Sequence, residues 1–116
     1  MKTTYPYYLA SRAVEANLKL EVFDKFSGKL VSKISLADEA IIDAAIEAAD
    51  KAALAMAATP AYKRQEVLLL CVKRFEERFE EFAHVLCVEA GKPIKDSRTE
   101  VARLIETFRI AAEESV

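Results

Sequence analysis

Apolar and polar residues alternate over most of Leu18-Lys19-Leu20-Glu21-Val22-Phe23, the period-two pattern of a strand. A second short strand is expected at Leu30-Val31-Ser32-Lys33-Ile34. Between them lies Asp24-Lys25-Phe26-Ser27-Gly28-Lys29, where Gly28 can take a positive φ at no steric cost and close a hairpin. An earlier strand within Tyr7 to Val14 is expected to pair with that hairpin, so the strand region covers about residues 7–35.

After Leu36 the period changes. Asp38 is placed to cap a helix and Glu39 to favour its positive end. Ile42, Ile46, Ala49, Ala53 and Met56 then recur at helical spacing, one apolar stripe on a helix over about 38–58. Thr59 is expected to cap a further helix with Pro60 in its first turn. Leu68, Val72, Phe75, Phe79, Phe82 and Leu86 carry the stripe through about residues 60–90, as one long helix or as two with a break near Arg78. Gly91 is expected to end this region, with Pro93 beyond it. A last helix, over about 95–116 and starting between Ile94 and Ser97, would bury Val101, Leu104, Ile105, Phe108, Ala111 and Ala112. It reaches Val116 with no stop signal, which suggests a longer native polypeptide. The fold class is therefore mainly α with an N-terminal β-hairpin.

Composition narrows the function. The 116 residues are 53% hydrophobic with only two glycines and three prolines, which favours an ordered segment of long elements. Seventeen basic and 19 acidic residues leave a net charge of −2, which offers no footprint for nucleic acid or an anionic membrane surface. No apolar run is long enough to span a bilayer, and Met1 to Pro6 lacks a signal-peptide core, so the location reads as cytoplasmic. Cys71 and Cys87 read as reduced, buried thiols, with no C-x-x-C spacing. His84, the single histidine, reads as a surface or packing residue, because a general base needs an oriented partner. The charge run from Lys73 to Glu81 reads as a solvated helix face. There is no Gly-rich phosphate loop and no metal-ligand cluster.

The order of weak motifs carries more information than any one of them. Glu89-Ala90-Gly91-Lys92-Pro93 is similar to the E-[ST]-G-K-P turn of aldehyde dehydrogenases, with Ala90 in place of the small hydroxyl residue. Before it, Pro60 with Lys63-Arg64 and Val67-Leu68 resembles that family's P-x-x-R-x-x-x-L helix opening. Asp38-Glu39 followed by Asp43-Ala44-Ala45-Ile46-Glu47-Ala48-Ala49 resembles its D-x-D-x-A-[VI]-x-A-A helix. Asp24 to Lys29 stands where the family has N-P-x-T-G-x, and Asp24-Lys25 departs from that pattern in a loop. Glu100-Val101-Ala102-Arg103 and Phe108-Arg109-x-Ala111-Ala112 look like its E-V-x-R and F-R-x-A-A helix. The resemblance covers roughly Leu18 to Val116.

The resemblance implies a piece of the α/β aldehyde dehydrogenase fold, part of the dinucleotide-binding domain, within a cytoplasmic homo-oligomer. The parent enzyme would oxidise a small-molecule aldehyde to a carboxylic acid with NAD or NADP. The family's catalytic cysteine, its oxyanion asparagine, its general-base glutamate and its nucleotide-binding loops match nothing here, so no catalytic or cofactor-binding residue is assigned. Cys71 and Cys87 lack the G-Q-x-C context and do not inherit the nucleophile's role. In members that act on phosphorylated, phosphonate or carboxylate-bearing aldehydes, the corresponding helix offers an arginine to the substrate tunnel. Arg103 looks like that position, which would make a small anionic aldehyde the substrate. The plainer reading of Arg103 is a surface arginine paired with Glu100 or Glu106. The alternative to a dehydrogenase segment is an autonomous helical module that self-associates. Calorimetric titration of this chain with NAD and with NADP is expected to give no heat of specific binding, and dehydrogenase assays no turnover. Saturable micromolar binding of either cofactor would overturn the assignment.

Overall fold

The computed structural model describes residues 1–116 and divides into two compact units, Met1–Ala58 and Thr59–Val116. With four helices and two small sheets, the architecture is mixed α/β.

In the N-terminal unit, β4 (Lys19–Phe23) and β5 (Leu30–Ser35) form the expected antiparallel hairpin, with Leu20 opposite Ile34 and Val22 opposite Ser32. The register shifts between Val22 and Phe23. Asp24 organises the connection. Its Oδ1 accepts the N–H groups of Phe26 at 2.8 Å and Ser27 at 3.1 Å, while its carbonyl accepts that of Gly28 at 2.8 Å. An Asp side chain that binds its own backbone two residues on is a compact way to start a turn. Gly28 completes it at φ 69°, where a side chain would be strained. Phe26, at the tip, is fully exposed.

The strand segment before the hairpin differs from expectation. Tyr7 to Val14 does not extend the sheet. It folds on itself as β2 (Tyr7–Leu9) and β3 (Arg12–Val14), an antiparallel pair with Leu9 opposite Arg12. The partner added to the hairpin is β1 (Thr4–Tyr5), which runs parallel to β5 and gives the sheet order β1-β5-β4. The two-residue loop Ala10-Ser11 has φ values of 46° and 65°. Tight hairpin turns with two left-handed residues normally carry Asn-Gly or Asp-Gly, so Ala-Ser gives no turn signal. As the central strand, β5 buries Ser32 and Ser35. Ser35 Oγ accepts the N–H of Ala16 at 3.1 Å, whereas Ser32 Oγ has no partner.

Helix α1 (Glu39–Ala57) begins as expected, with Asp38 accepting the N–H of Ile41 at 2.9 Å. Its apolar stripe exists but nothing in the unit covers it. No α1 residue is buried, and Ile46 is 63% and Leu54 86% exposed.

The C-terminal unit contains α2 (Ala61–Glu77), α3 (Phe79–Ala90) and α4 (Ile94–Glu113). Pro60 itself holds the N-cap place of α2, and no side chain caps it, so Thr59 does not. Instead, the Thr59 carbonyl accepts a hydrogen bond from Arg64 Nη1. Of the two arrangements open to this stripe, the structure has two helices. Arg78 leaves the helical region at φ −114°, ψ 21°, and its Nε and Nη2 clasp the Glu81 carboxylate at 2.8 and 2.7 Å. That hydrogen bond holds the Glu81 carboxyl below the usual carboxylate range, so the contact persists as pH falls until Glu81 is protonated. Gly91 closes α3 in the left-handed conformation, φ 70°, and its N–H reaches the Cys87 carbonyl at 3.0 Å. Helix α4 stops at Glu113, three residues before the expected end.

Val72, Ala83, Val101 and Ile105 form the core of this unit, with Phe75, Phe79, Phe82 and Phe108 packed around them. Phe75 meets Phe82 and Phe108 edge-on, with ring centroids 5.4 and 4.9 Å apart. Edge-on geometry sets the positive rim of one ring against the negative face of the next and adds about 0.5–1.5 kcal/mol to each pair beyond burial. Ala83 and Ser97 are wholly inaccessible, which suits close approach of helix backbones. On α4 the inward line is Ser97, Val101, Ile105 and Ala112; Leu104 and Phe108 are half-buried and Ala111 is exposed. Cys71 and Cys87 are free thiols but only half-buried, because Cys71 lies one position, about 100° of helix, from the inward Val72. His84 is exposed. No helix is long and apolar enough to cross a membrane.

Two outcomes follow from the N-terminal unit. Replacing Ala10-Ser11 with Asn-Gly relieves two left-handed L-residues and should stabilise the unit by about 1–2 kcal/mol, read by urea unfolding with tyrosine fluorescence. An unchanged midpoint would mean the turn is not strained. Sedimentation should show self-association of the chain through the α1 stripe, reduced by Ile46→Glu. A monomer at high concentration would exclude α1 as an association surface.

Candidate functional site

Helix α4 carries the only residue that the sequence marks for substrate contact. The inward line Val101-Ile105 places Arg103 about 200° of helix from each, so its side chain points away from the core. Arg103 is exposed. With Glu100, Leu104 and Thr107 it lines an open depression of about 340 Å³. A second depression, of about 370 Å³, is lined by Lys92, Asp96, Thr99, Glu100 and Arg103. An apolar groove of about 280 Å³ runs beside them between α3 and α4, with Phe82, Leu86, Val101 and Leu104 along it and Glu89 and Glu100 at its edge. Glu100 lines all three.

The neighbouring charges are arranged so that Arg103 has no ion pair. Glu100 is held by Lys92 Nζ from the turn after α3. Glu106 accepts from Arg109 Nη1 at 2.9 Å, and Arg109 Nη2 reaches Glu76 of α2 at 2.8 Å. The surface pairing of Arg103 with Glu100 or Glu106 is therefore not formed. The Thr107 hydroxyl donates to the Arg103 carbonyl at 2.8 Å and that of Thr99 to the Lys95 carbonyl at 3.2 Å, so both serve the helix backbone. Nearer the start of α4, Arg98 grips Glu80 of α3 through Nε at 3.0 Å and Nη2 at 3.0 Å. That hydrogen bond, and then the carboxylate's charge, raise the guanidinium's pKa above its ordinary value. The sequence marks Lys92 only within the Glu89 to Pro93 motif and gives no sign of its contact with Glu100. The two are eight residues apart across a turn, a spacing with no helical meaning.

The other concave feature is an apolar groove of about 380 Å³ in the N-terminal unit, between Tyr7-Tyr8-Leu9 and the Ile41, Ile42, Ala45 and Ile46 side of α1. It brings no acid, base or nucleophile together beyond the tyrosine hydroxyls. No group of three His, Cys, Asp or Glu residues is placed to hold a metal ion. Arg103 and its neighbours can bind and orient an anion, since a planar guanidinium can hold two oxygens at once and stays charged. None of them is set up as an activated nucleophile, since the Thr99 and Thr107 hydroxyls donate to the helix backbone and the Lys92 amine binds Glu100.

A family model described as the aldehyde dehydrogenase family matches residues 13–116. The chain belongs to the aldehyde dehydrogenase family. Among related aldehyde dehydrogenases, the lactaldehyde dehydrogenase of Methanocaldococcus jannaschii is 37% identical over 80% of this chain and 20% of its own length. The 3-sulfolactaldehyde dehydrogenase of Priestia aryabhattai is 39% identical over 84% of this chain and 20% of its own. The crystal structure of aldehyde dehydrogenase 21 from Physcomitrella patens, in complex with the reaction product succinate, superposes with a TM-score of 0.95. It is 45% identical over 98% of this chain and 24% of that one. The chain thus spans about a fifth of the length of the curated relatives it matches, in their N-terminal portion. Among similar solved structures, that of PnpE holds NAD and that of the glyceraldehyde-3-phosphate dehydrogenase GapN of Methanocaldococcus jannaschii holds NADP.

Proposed function

We propose that this chain is a scaffold segment of an NAD(P)-dependent aldehyde dehydrogenase, an oxidoreductase that converts a small anionic aldehyde to a carboxylic acid, and that Arg103 receives the substrate's anionic end. The observation that carries the reading is the exposed, unpaired Arg103 guanidinium at two depressions, with both acids in helical reach engaged elsewhere. Surface arginines three residues from a glutamate commonly pair with it, so one left free between two such acids is available to another anion. Two relatives support this substrate class by name, one for a sulfonate-bearing aldehyde and one with a dicarboxylate product; a third is named for lactaldehyde, which is neutral. The nicotinamide cofactor, when bound, accepts the hydride. The part of these residues is to bind and orient the aldehyde, converting charge recognition into placement of the carbonyl. A cytoplasmic homo-oligomer belongs to the same reading.

Arg103→Ala in the dehydrogenase that carries this segment tests it. With a sulfonated, phosphorylated or carboxylated aldehyde, kcat/KM should collapse by an amount on the order of 2–5 kcal/mol, as when one partner of a desolvated charge pair is lost. A neutral aldehyde of similar size should be turned over nearly as before. A small, equal effect on both substrates would leave Arg103 a surface residue.

A further inference from the structure

We propose that Lys92 is a positioning residue that keeps Arg103 free for substrate by occupying Glu100, with Arg109 doing the same at Glu106. The inference rests on Arg103 as the anion-binding group. Glu100 lies three residues before Arg103 on α4 and Glu106 three after, each at the spacing where helix side chains meet. Either could neutralise the guanidinium, and neither does. Lys92 reaches across the turn between α3 and α4 to bind Glu100, and Arg109 bridges Glu106 to Glu76 of α2. Asp96 is the remaining carboxylate at these depressions, seven residues and two helical turns from Arg103. Its distance along the helix makes it a poor competitor.

The Lys92–Glu100 contact also decides the local charge. Glu100 lines the same depressions as Arg103, so with its carboxylate unneutralised an incoming anion would meet a like charge beside the cation that attracts it. Lys92 cancels that charge from the second depression, which it lines together with Arg103, and stands outside the Arg103–Leu104–Thr107 depression. Specificity for an anionic aldehyde would then depend on a lysine that need not touch it.

The test uses Lys92→Gln, Lys92→Gln/Glu100→Gln and Arg103→Ala in the dehydrogenase that carries this segment, each assayed with an anionic and a neutral aldehyde. Lys92→Gln should raise KM for the anion about two- to fivefold, leave kcat nearly unchanged and spare the neutral substrate, which also reports that the enzyme is folded. The double variant should recover most of the loss. If Lys92→Gln slows both substrates equally, or if removing Glu100 restores nothing, the positioning role is overturned, the latter outcome meaning that Lys92 acts on the substrate directly. If Arg103→Ala itself shows no selectivity, the underlying reading has failed instead. An independent measurement follows the Arg103 side-chain Nε–H by NMR in the 116-residue chain. Lys92→Gln should shift it and slow its exchange with water as Glu100 turns to it, and Lys92→Gln/Glu100→Gln should return it. An Arg103 signal unmoved by Lys92→Gln contradicts the competition.

Discussion

Helix α4 lies against both α2 and α3, and its buried line is the constraint on which the C-terminal unit depends. Val101 and Ile105 reach the shared core, where Phe75 and Phe108 meet edge-on. Burying side chains of this size stabilises by about 1.5–3 kcal/mol each, more than any ion pair on the surface can contribute. The apolar contacts therefore set the rotation of α4, and the charged residues take the directions that remain. Arg98 and Arg109 point to the flanks, where Glu80 of α3 and Glu76 of α2 receive them. Arg103 is turned outward, away from both neighbours.

Where local chemistry and tertiary packing agree, the chain could be read without a structure. Asp38 caps α1, Gly91 ends α3 in the left-handed region, and Gly28 closes the β4–β5 loop, because each position asks for a property that few residues have. The misses fall where that agreement is absent. Ala10 and Ser11 adopt left-handed angles that their side chains disfavour, so a tight hairpin formed where no turn residue announced it. Thr59 has a capping side chain, but Pro60 took the cap position. Residue type alone predicts a buried Cys71, whereas its helix angle beside Val72 leaves it half-covered. The candidate site was legible in one residue only. Arg103 stood out through family resemblance and helix phase, while its relation to Lys92 depends on how the turn at Gly91 folds back, which no spacing rule encodes.

The two units differ in how fully they use their apolar residues. In the C-terminal unit three helices share one core. In the N-terminal unit, α1 presents Ile42, Ile46, Leu54 and Met56 to solvent, and the pattern that makes it a helix has no partner within the unit. Helix propensity helps explain how it persists. Alanine is the best helix former, Asp38 supplies a cap, and a Glu47–Lys51 pair at 2.5 Å sits at the favourable spacing and orientation. Propensity and capping can maintain a helix of this length, but they do not select such an apolar stripe. An apolar stripe at helical period is the mark of a packing surface, and in α1 that surface is left open within its unit.

The charge arrangement around Arg103 follows a different logic from the core. An exposed ion pair contributes at most about 1 kcal/mol, so leaving one arginine unpaired costs stability little. Yet the surrounding pairs are not random closures of nearby opposites. Lys92 crosses a turn to reach Glu100 although Arg103 is three residues away, and Arg109 binds Glu106 while holding Glu76 of another helix. Each glutamate flanking Arg103 is thus tied to a cation whose backbone is fixed by packing or by a turn. The consequence is a local positive charge maintained by geometry, at a surface whose hydroxyls serve the helix backbone and whose adjoining groove is apolar. On the proposed reading, the guanidinium would take the anionic end of the aldehyde, and Leu104, which lines both the Arg103 depression and the apolar groove, would meet a short apolar body.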